Sequence, residues 1–216
     1  MISFDEWNVW YQDRVESHPP TGDNWPVAPV LLEDHYNVAD AVVVGNLLIS
    51  LLKHSDRVHA ACLAQLVNVI APIMTEPGGK LWKQTSFYPF ALTARYAAGD
   101  VLSVPIECDT YCTNRFGDVP VIDATATFDA KTNQTAIFLV NRSLGETTDV
   151  RLNLRHAHQQ RVLGAELFSS SDFTWQASAE DDTTVGLSRL ETQYDENSVV
   201  IPLPPVSWAV VRLTSD

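Results

Sequence analysis

An α/β segment followed by an all-β sandwich is the architecture predicted for this 216-residue chain. Three observations predict it. Before residue 99, short apolar runs alternate with helical patterns in the order strand, helix, strand, helix, the signature of βα units on a parallel sheet. After residue 99 come only alternating runs separated by turn residues, the pattern of an antiparallel sandwich. The charge shifts at the same place, from ten acids and six bases in residues 1–99 to seventeen and eight in residues 100–216. The boundary is therefore set at Ala98-Gly99-Asp100, with Gly99 in the C-cap position of the preceding helix.

Residues 2–4 read as the end of a buried strand. Residues 12–33 hold four prolines and no period, so they form a long surface loop of the kind that serves as a lid or binding loop. Asn37, with Asp40 three residues on, makes an N-cap arrangement that opens a helix to about Lys53. That helix is apolar on most faces and should be largely buried. Residues 58–64 read as a second strand. Trp82-Lys83-Gln84-Thr85 leads into a second helix, with Pro89 in its first turn and residues 91–98 as its body.

In the second part, residues 119–128 alternate as one strand. Lys131-Thr132-Asn133 is a turn and residues 135–140 return, which makes a hairpin. Further strands are expected at 148–154, 160–168, 198–203 and 206–213. Residues 100–216 should be the more independent folding unit, because an antiparallel sandwich closes its own core. The acidic stretch 179–182 reads as a solvated loop.

Composition excludes several classes. A net charge of −13 leaves no basic stripe for nucleic acid or for an anionic membrane. Apolar runs such as Ala41-Val42-Val43-Val44 and residues 67–73 fall short of the ~20 residues of a bilayer span. The first residues carry neither a basic segment nor a small-residue cleavage site, so no signal peptide is expected. Cys62, Cys108 and Cys112 have no zinc-finger spacing and read as free thiols, with Cys62 shielded in its strand. A cytoplasmic protein is the expectation.

In a parallel α/β sheet, function sits at the carboxyl ends of the strands. Glu6 follows the first strand and Gln65 the second, so adjacent strands would put both at one rim. Phe4, Trp7, Trp10 and Tyr11 crowd around Asp5-Glu6, with Asn8 among them. Aromatic faces beside carboxylates and amides suit a sugar, whose C–H faces stack while its hydroxyls need hydrogen bonds. A core cluster with a solvated acidic pair is the other reading of the same residues.

Ser3-Phe4-Asp5-Glu6-Trp7-Asn8-Val9-Trp10-Tyr11 closely resembles the nucleophile motif of the family 51 glycoside hydrolases, the α-L-arabinofuranosidases. Further stretches are similar to that family in the same order. They are Val27-Ala28-Pro29 with Leu31-Leu32-Glu33-Asp34, then residues 61–73, then Trp82-Lys83-Gln84-Thr85, with Ser207-Trp208-Ala209-Val210-Val211-Arg212-Leu213 resembling the closing sandwich strand. The resemblance implies that residues 1–99 are the last two βα units of a (β/α)8 barrel, strands 7 and 8 with their helices. Residues 100–216 would be most of a C-terminal β-sandwich domain. It implies that Glu6 is the catalytic nucleophile, that Trp10 lines the arabinose subsite and that Gln65 hydrogen-bonds the sugar. Asn68 would be a supporting residue.

Retaining hydrolysis of terminal α-L-arabinofuranosyl residues from oligo- or polysaccharides is the implied activity, with two carboxyl groups ~5 Å apart. No cofactor and no metal is called for. An arabinose-containing oligosaccharide is the expected partner, with no nucleic acid and no membrane, and a homo-oligomer is expected at full length. The family's acid/base glutamate lies in an Asn-Glu motif at the end of the fourth strand, whereas this chain starts near the seventh. Asp195-Glu196-Asn197 falls in the sandwich, in the wrong order. The expectation is a C-terminal portion carrying the nucleophile without the acid/base, inactive by itself. A non-catalytic carbohydrate-binding or interaction module and the C-terminal half of a split enzyme are the alternatives.

Overall fold

The computed structural model describes residues 1–11, 20–25, 27, 33–154, 160–195 and 198–215. Among these the chain is mostly β-sheet with two helices. Most of the expected loop 12–33, and Glu196 and Asn197, lie outside the described residues.

The first part holds β1 (Ile2–Phe4), α1 (Val38–Lys53), β2 (Val58–Ala61), β3 (Ile73–Thr75), β4 (Leu81–Lys83) and α2 (Phe87–Tyr96). β1 and β2 pair in parallel, Phe4 opposite Ala61, with α1 on the connection. α1 begins where cap chemistry dictates. The Asn37 side chain accepts from the Asp40 N–H at 3.0 Å and the Asp40 carboxylate accepts from the Asn37 N–H at 2.8 Å. Its burial is one-sided, since Val43 and Leu47 are exposed while Val38, Ala41, Val42, Val44, Leu48 and Ile49 are buried.

β2 is shorter than expected and ends at Ala61. Cys62 lies just beyond it and is exposed, not shielded, because among the described residues β2 has a strand partner on the β1 side alone. Cys108 and Cys112 are also free. The hairpin of β3 and β4 is absent from the sequence expectation. α2 is capped at its C-terminus by Ala97, two residues before the expected Gly99. Gly99 has a different task. Its φ is +79°, and a Cβ there would sit 2.0 Å from the Phe128 carbonyl oxygen, so only glycine lets the chain pass onto the sheet.

The second part comprises β5 (Asp100–Leu102), β6 (Thr110–Thr113), β7 (Gly117–Pro120), β8 (Ile122–Asp129), β9 (Gln134–Asn141), β10 (Thr148–Asn153), β11 (Gln160–Phe168), β12 (Leu187–Arg189), β13 (Gln193–Asp195), β14 (Ser198–Leu203) and β15 (Ser207–Ser215). The expected single strand 119–128 is two strands. β7 pairs with β6, whereas β8 joins β5 and β9, and the break falls at Val121. A six-stranded sheet runs β12-β11-β15-β9-β8-β5, and a three-stranded sheet runs β10-β14-β13.

Two cores flank the larger sheet. Ile137, Leu139, Ala209 and Val211 point to one side, against Val199, Ile201 and Leu203 of β14. Phe138, Val140, Trp208 and Val210 point to the other side, against Val38, Ala41, Val42 and Ile49 of α1 and Leu92 of α2. Burial on both faces explains why β9 and β15 read as continuous apolar runs in an antiparallel sheet. A polar latch fastens the same helix. Asp123 on β8 pairs with Lys53 and with Arg142 at 2.8 Å, and accepts from Asn46 at 2.8 Å.

Residues of the second part supply most of one core, whereas the other core is completed by α1 and α2 of the first part. Expressed alone, the second part is expected to bind a hydrophobic dye such as ANS through the face carrying Phe138, Val140, Trp208 and Val210. The 216-residue chain buries that face. Equal dye binding by the two polypeptides would contradict the two-core account.

Candidate active site

The site is built where β1 ends. Beyond Phe4 the chain carries Asp5, Glu6, Trp7 and Asn8 in succession, and the last two are anchors. Trp7 is buried among Val44 and Leu48 of α1 and Leu63, with its ring 6.4 Å from that of Phe90. Asn8, also buried, donates from Nδ2 to the carbonyls of Ile70 at 2.7 Å and Ala64 at 3.3 Å, while its Oδ1 accepts the Val9 N–H at 2.8 Å. One carboxamide thus ties the segment after β1 to the segment after β2. Ala64 precedes Gln65 through a cis peptide bond. The anchors leave Glu6 exposed just ahead of them, and Gln65 is exposed on the second segment.

A second layer of buried polar groups supports this rim. Gln84 is almost wholly buried. Its Oε1 accepts the Tyr36 N–H at 2.8 Å, and its Nε2 donates to the carbonyls of Ala71 at 2.8 Å and Asp34 at 3.1 Å. The Thr85 hydroxyl donates to the carbonyls of Tyr36 and Asn37 at 3.0 and 2.6 Å. Trp82-Lys83-Gln84-Thr85 is thereby a backbone clamp as well as an approach to α2. Asn68 closes its own loop, with Nδ2 donating to the Thr75 hydroxyl at 2.9 Å and Oδ1 accepting the Thr75 N–H at 2.7 Å.

Tyr36 is fully buried, and its hydroxyl donates to the Val9 carbonyl at 3.3 Å. The Tyr11 ring stacks on Tyr36 with centroids 6.5 Å apart, and its hydroxyl donates to Asp40. Burial, the bond to Asp40 and the nearby Asp40 and Asp34 carboxylates all push the Tyr11 hydroxyl well above its ordinary pKa. Burial raises the Asp40 carboxyl, against the opposing pull of the bonds from Tyr11 and Asn37.

A cavity of about 490 Å³ opens beside this rim, within the usual size range of small-molecule sites. Glu6 and Trp10 line it, together with Asn8 and the apolar sides of Phe4, Trp7 and Leu51. Trp10 keeps 49% of its surface exposed. The structure thus brings Glu6 and Trp10 to one cavity, while Gln65 is not part of its lining. Glu6 is the one acid among the described lining residues, so the cavity offers a single carboxylate beside an aromatic face. Among the described residues, no group of three or more His, Cys, Asp or Glu side chains could hold a metal ion. No helix among them is long and apolar enough to cross a membrane.

The sequence places Tyr11 in the aromatic cluster and Gln84 in the run before the second helix, but it does not show that both meet Tyr36. Asp40 was legible only as a helix cap, and its bond to Tyr11 spans 29 positions without a local signal.

Comparison with known proteins gives a consistent result. Residues 5–207 match the family described as "Alpha-L-arabinofuranosidase C-terminal domain". An exo-α-(1→6)-L-arabinofuranosidase of Bifidobacterium longum is 47% identical over 98% of this chain and 41% of its own length. An intracellular exo-α-(1→5)-L-arabinofuranosidase of Streptomyces lividans is 42% identical over 98% of this chain and 32% of its own length. A solved family 51 α-L-arabinofuranosidase from Bifidobacterium longum superposes with a TM-score of 0.88 at 41% identity, covering 97% of this chain and 41% of that one. The chain therefore spans about two-fifths of the length of such relatives or less.

Proposed function

Because this chain belongs to the α-L-arabinofuranosidase C-terminal domain family, as the C-terminal part of a family 51 glycoside hydrolase, we propose that it supplies the nucleophile of a retaining arabinofuranosidase. Residues 1–99 then contribute strands 7 and 8 of a (β/α)8 barrel with their helices, and residues 100–216 form the β-sandwich domain. Glu6 attacks the anomeric carbon of a terminal α-L-arabinofuranosyl residue, forming the Glu6 ester as the glycosidic C–O bond breaks. A second carboxylic acid protonates the departing oxygen, then takes a proton from the water that cleaves the ester. Among the described residues Glu6 is the one acid lining its cavity, and its partner is proposed to come from the portion of the relatives' length that this chain does not span. The 216-residue polypeptide alone would hold the nucleophile without its proton donor. Trp10 offers a face to the sugar and Gln65 a hydrogen bond to it. The relatives named intracellular support a cytoplasmic location.

The observation that carries this reading is the shared cavity of Glu6 and Trp10 at the carboxyl end of β1. A mechanism-based label tests it. An epoxide of α-L-arabinofuranosyl configuration, incubated with a polypeptide of full family length that includes this chain, is expected to esterify Glu6. Peptide mass spectrometry reads the site, and an adduct confined to another carboxylate would overturn the assignment.

A further inference from the structure

The chain from Val9 to Tyr11 is fixed from three directions. Asn8 holds the Val9 N–H at 2.8 Å, and the hydroxyl of Tyr36 holds the Val9 carbonyl at 3.3 Å. Tyr11 is turned away from the cavity, its ring on Tyr36 and its hydroxyl on Asp40. Asp40 is itself fixed, because the oxygen that accepts from Tyr11 also accepts the Asn37 N–H at the start of α1. Trp10 lies between these fixed points and lines the cavity with Glu6.

We propose that Asp40 and Tyr11 form a positioning clamp that sets Trp10 against the sugar. The inference rests on the functional reading above and adds two residues that touch neither substrate nor reacting atoms. A half-exposed indole can offer a stacking face only if its backbone is held, since a mobile ring must be ordered anew on each binding event. The Asn37–Asp40 capping box thereby serves two ends: it starts α1 and presents a fixed acceptor to Tyr11. A hydroxyl with a raised pKa remains a donor throughout the range in which Asp40 is an acceptor.

The test uses Tyr11→Phe, Asp40→Asn, Asp40→Ala and Trp10→Ala in a polypeptide of full family length that includes this chain, with thermal unfolding recorded for each. The substrate is an aryl α-L-arabinofuranoside. Tyr11→Phe removes only the hydroxyl and is expected to raise KM on the order of tenfold, with kcat changed less than about twofold. Asp40→Ala should do the same and also lower the melting temperature. Asp40→Asn should restore KM, because a carboxamide oxygen can still accept both bonds. In the Trp10→Ala background, Tyr11→Phe should have no further effect on KM, as two residues acting through one contact are not additive. A KM unmoved by Tyr11→Phe and Asp40→Ala overturns the clamp, and so does a Tyr11→Phe effect that persists without Trp10. An unchanged KM in Trp10→Ala removes its object. The covalent label on Glu6 is read in the unsubstituted polypeptide, whatever the variants do to KM, so failure of the clamp and failure of the functional reading are separable.

Discussion

Glu6→Gln, made in a polypeptide of full family length that includes this chain, is expected to lower turnover of an aryl α-L-arabinofuranoside by on the order of 10⁴-fold or more. The amide has the size of the carboxylate but no negative charge and no competent attacking oxygen, so the loss is chemical. It is not a packing loss: Glu6 is exposed at the end of β1, and the neighbours that hold the segment are Trp7 and Asn8. Thermal unfolding should therefore match the wild type. Glu6→Ala with added azide distinguishes the nucleophile from a proton donor. Azide entering the vacated space attacks from the side opposite the leaving group, giving a glycosyl azide of inverted configuration, whereas replacing the proton donor gives the retained product. Near-wild-type turnover of Glu6→Gln, or a retained azide from Glu6→Ala, would exclude Glu6 as the nucleophile.

The features legible in the sequence are those written locally. The Asn37–Asp40 capping box starts α1 at the expected residue, because the donors that it satisfies lie within three positions. The turn at Lys131-Thr132-Asn133 needs a residue that tolerates positive φ, and Asn133 at +54° provides it. β11 and β14 match their expected bounds because each is long enough to show a period. Three-residue strands such as β3, β4, β5, β12 and β13 show none, and their partners alone define them. The second core was illegible for another reason. Phe138 and Trp208 read as sandwich residues wherever they point, and nothing near them in sequence says that the distant helix Val38–Lys53 covers them. Glu6 and Trp10, which line one cavity, stand four positions apart in a single motif. The groups behind that segment, Tyr36 and Gln84, are joined across 48 positions and leave no local pattern.

That second core carries the largest expected effect on stability. Trp208 is fully buried on β15, and its indole lies directly over Gly45 of α1, where a Cβ would fall 2.1 Å from Cδ1. Among the described residues the indole Nε1 has no hydrogen-bond partner, and the ring packs in the core with Phe138 and Val210. Trp208→Ala should therefore cost about 3–5 kcal/mol through lost burial and the cavity left behind. Gly45→Ala should cost about 1–3 kcal/mol for the opposite reason: a methyl group would overlap the Trp208 ring, which is fully buried in one core with Val38, Phe138 and Val210. The two losses should not add. In the double variant the new methyl enters the space vacated by the indole, so Gly45→Ala becomes neutral or stabilising, a coupling of about 0.5–3 kcal/mol. Urea unfolding of the four proteins at a common m-value measures it. Strict additivity would mean that the helix has moved off the sheet and that Gly45 and Trp208 are not in contact.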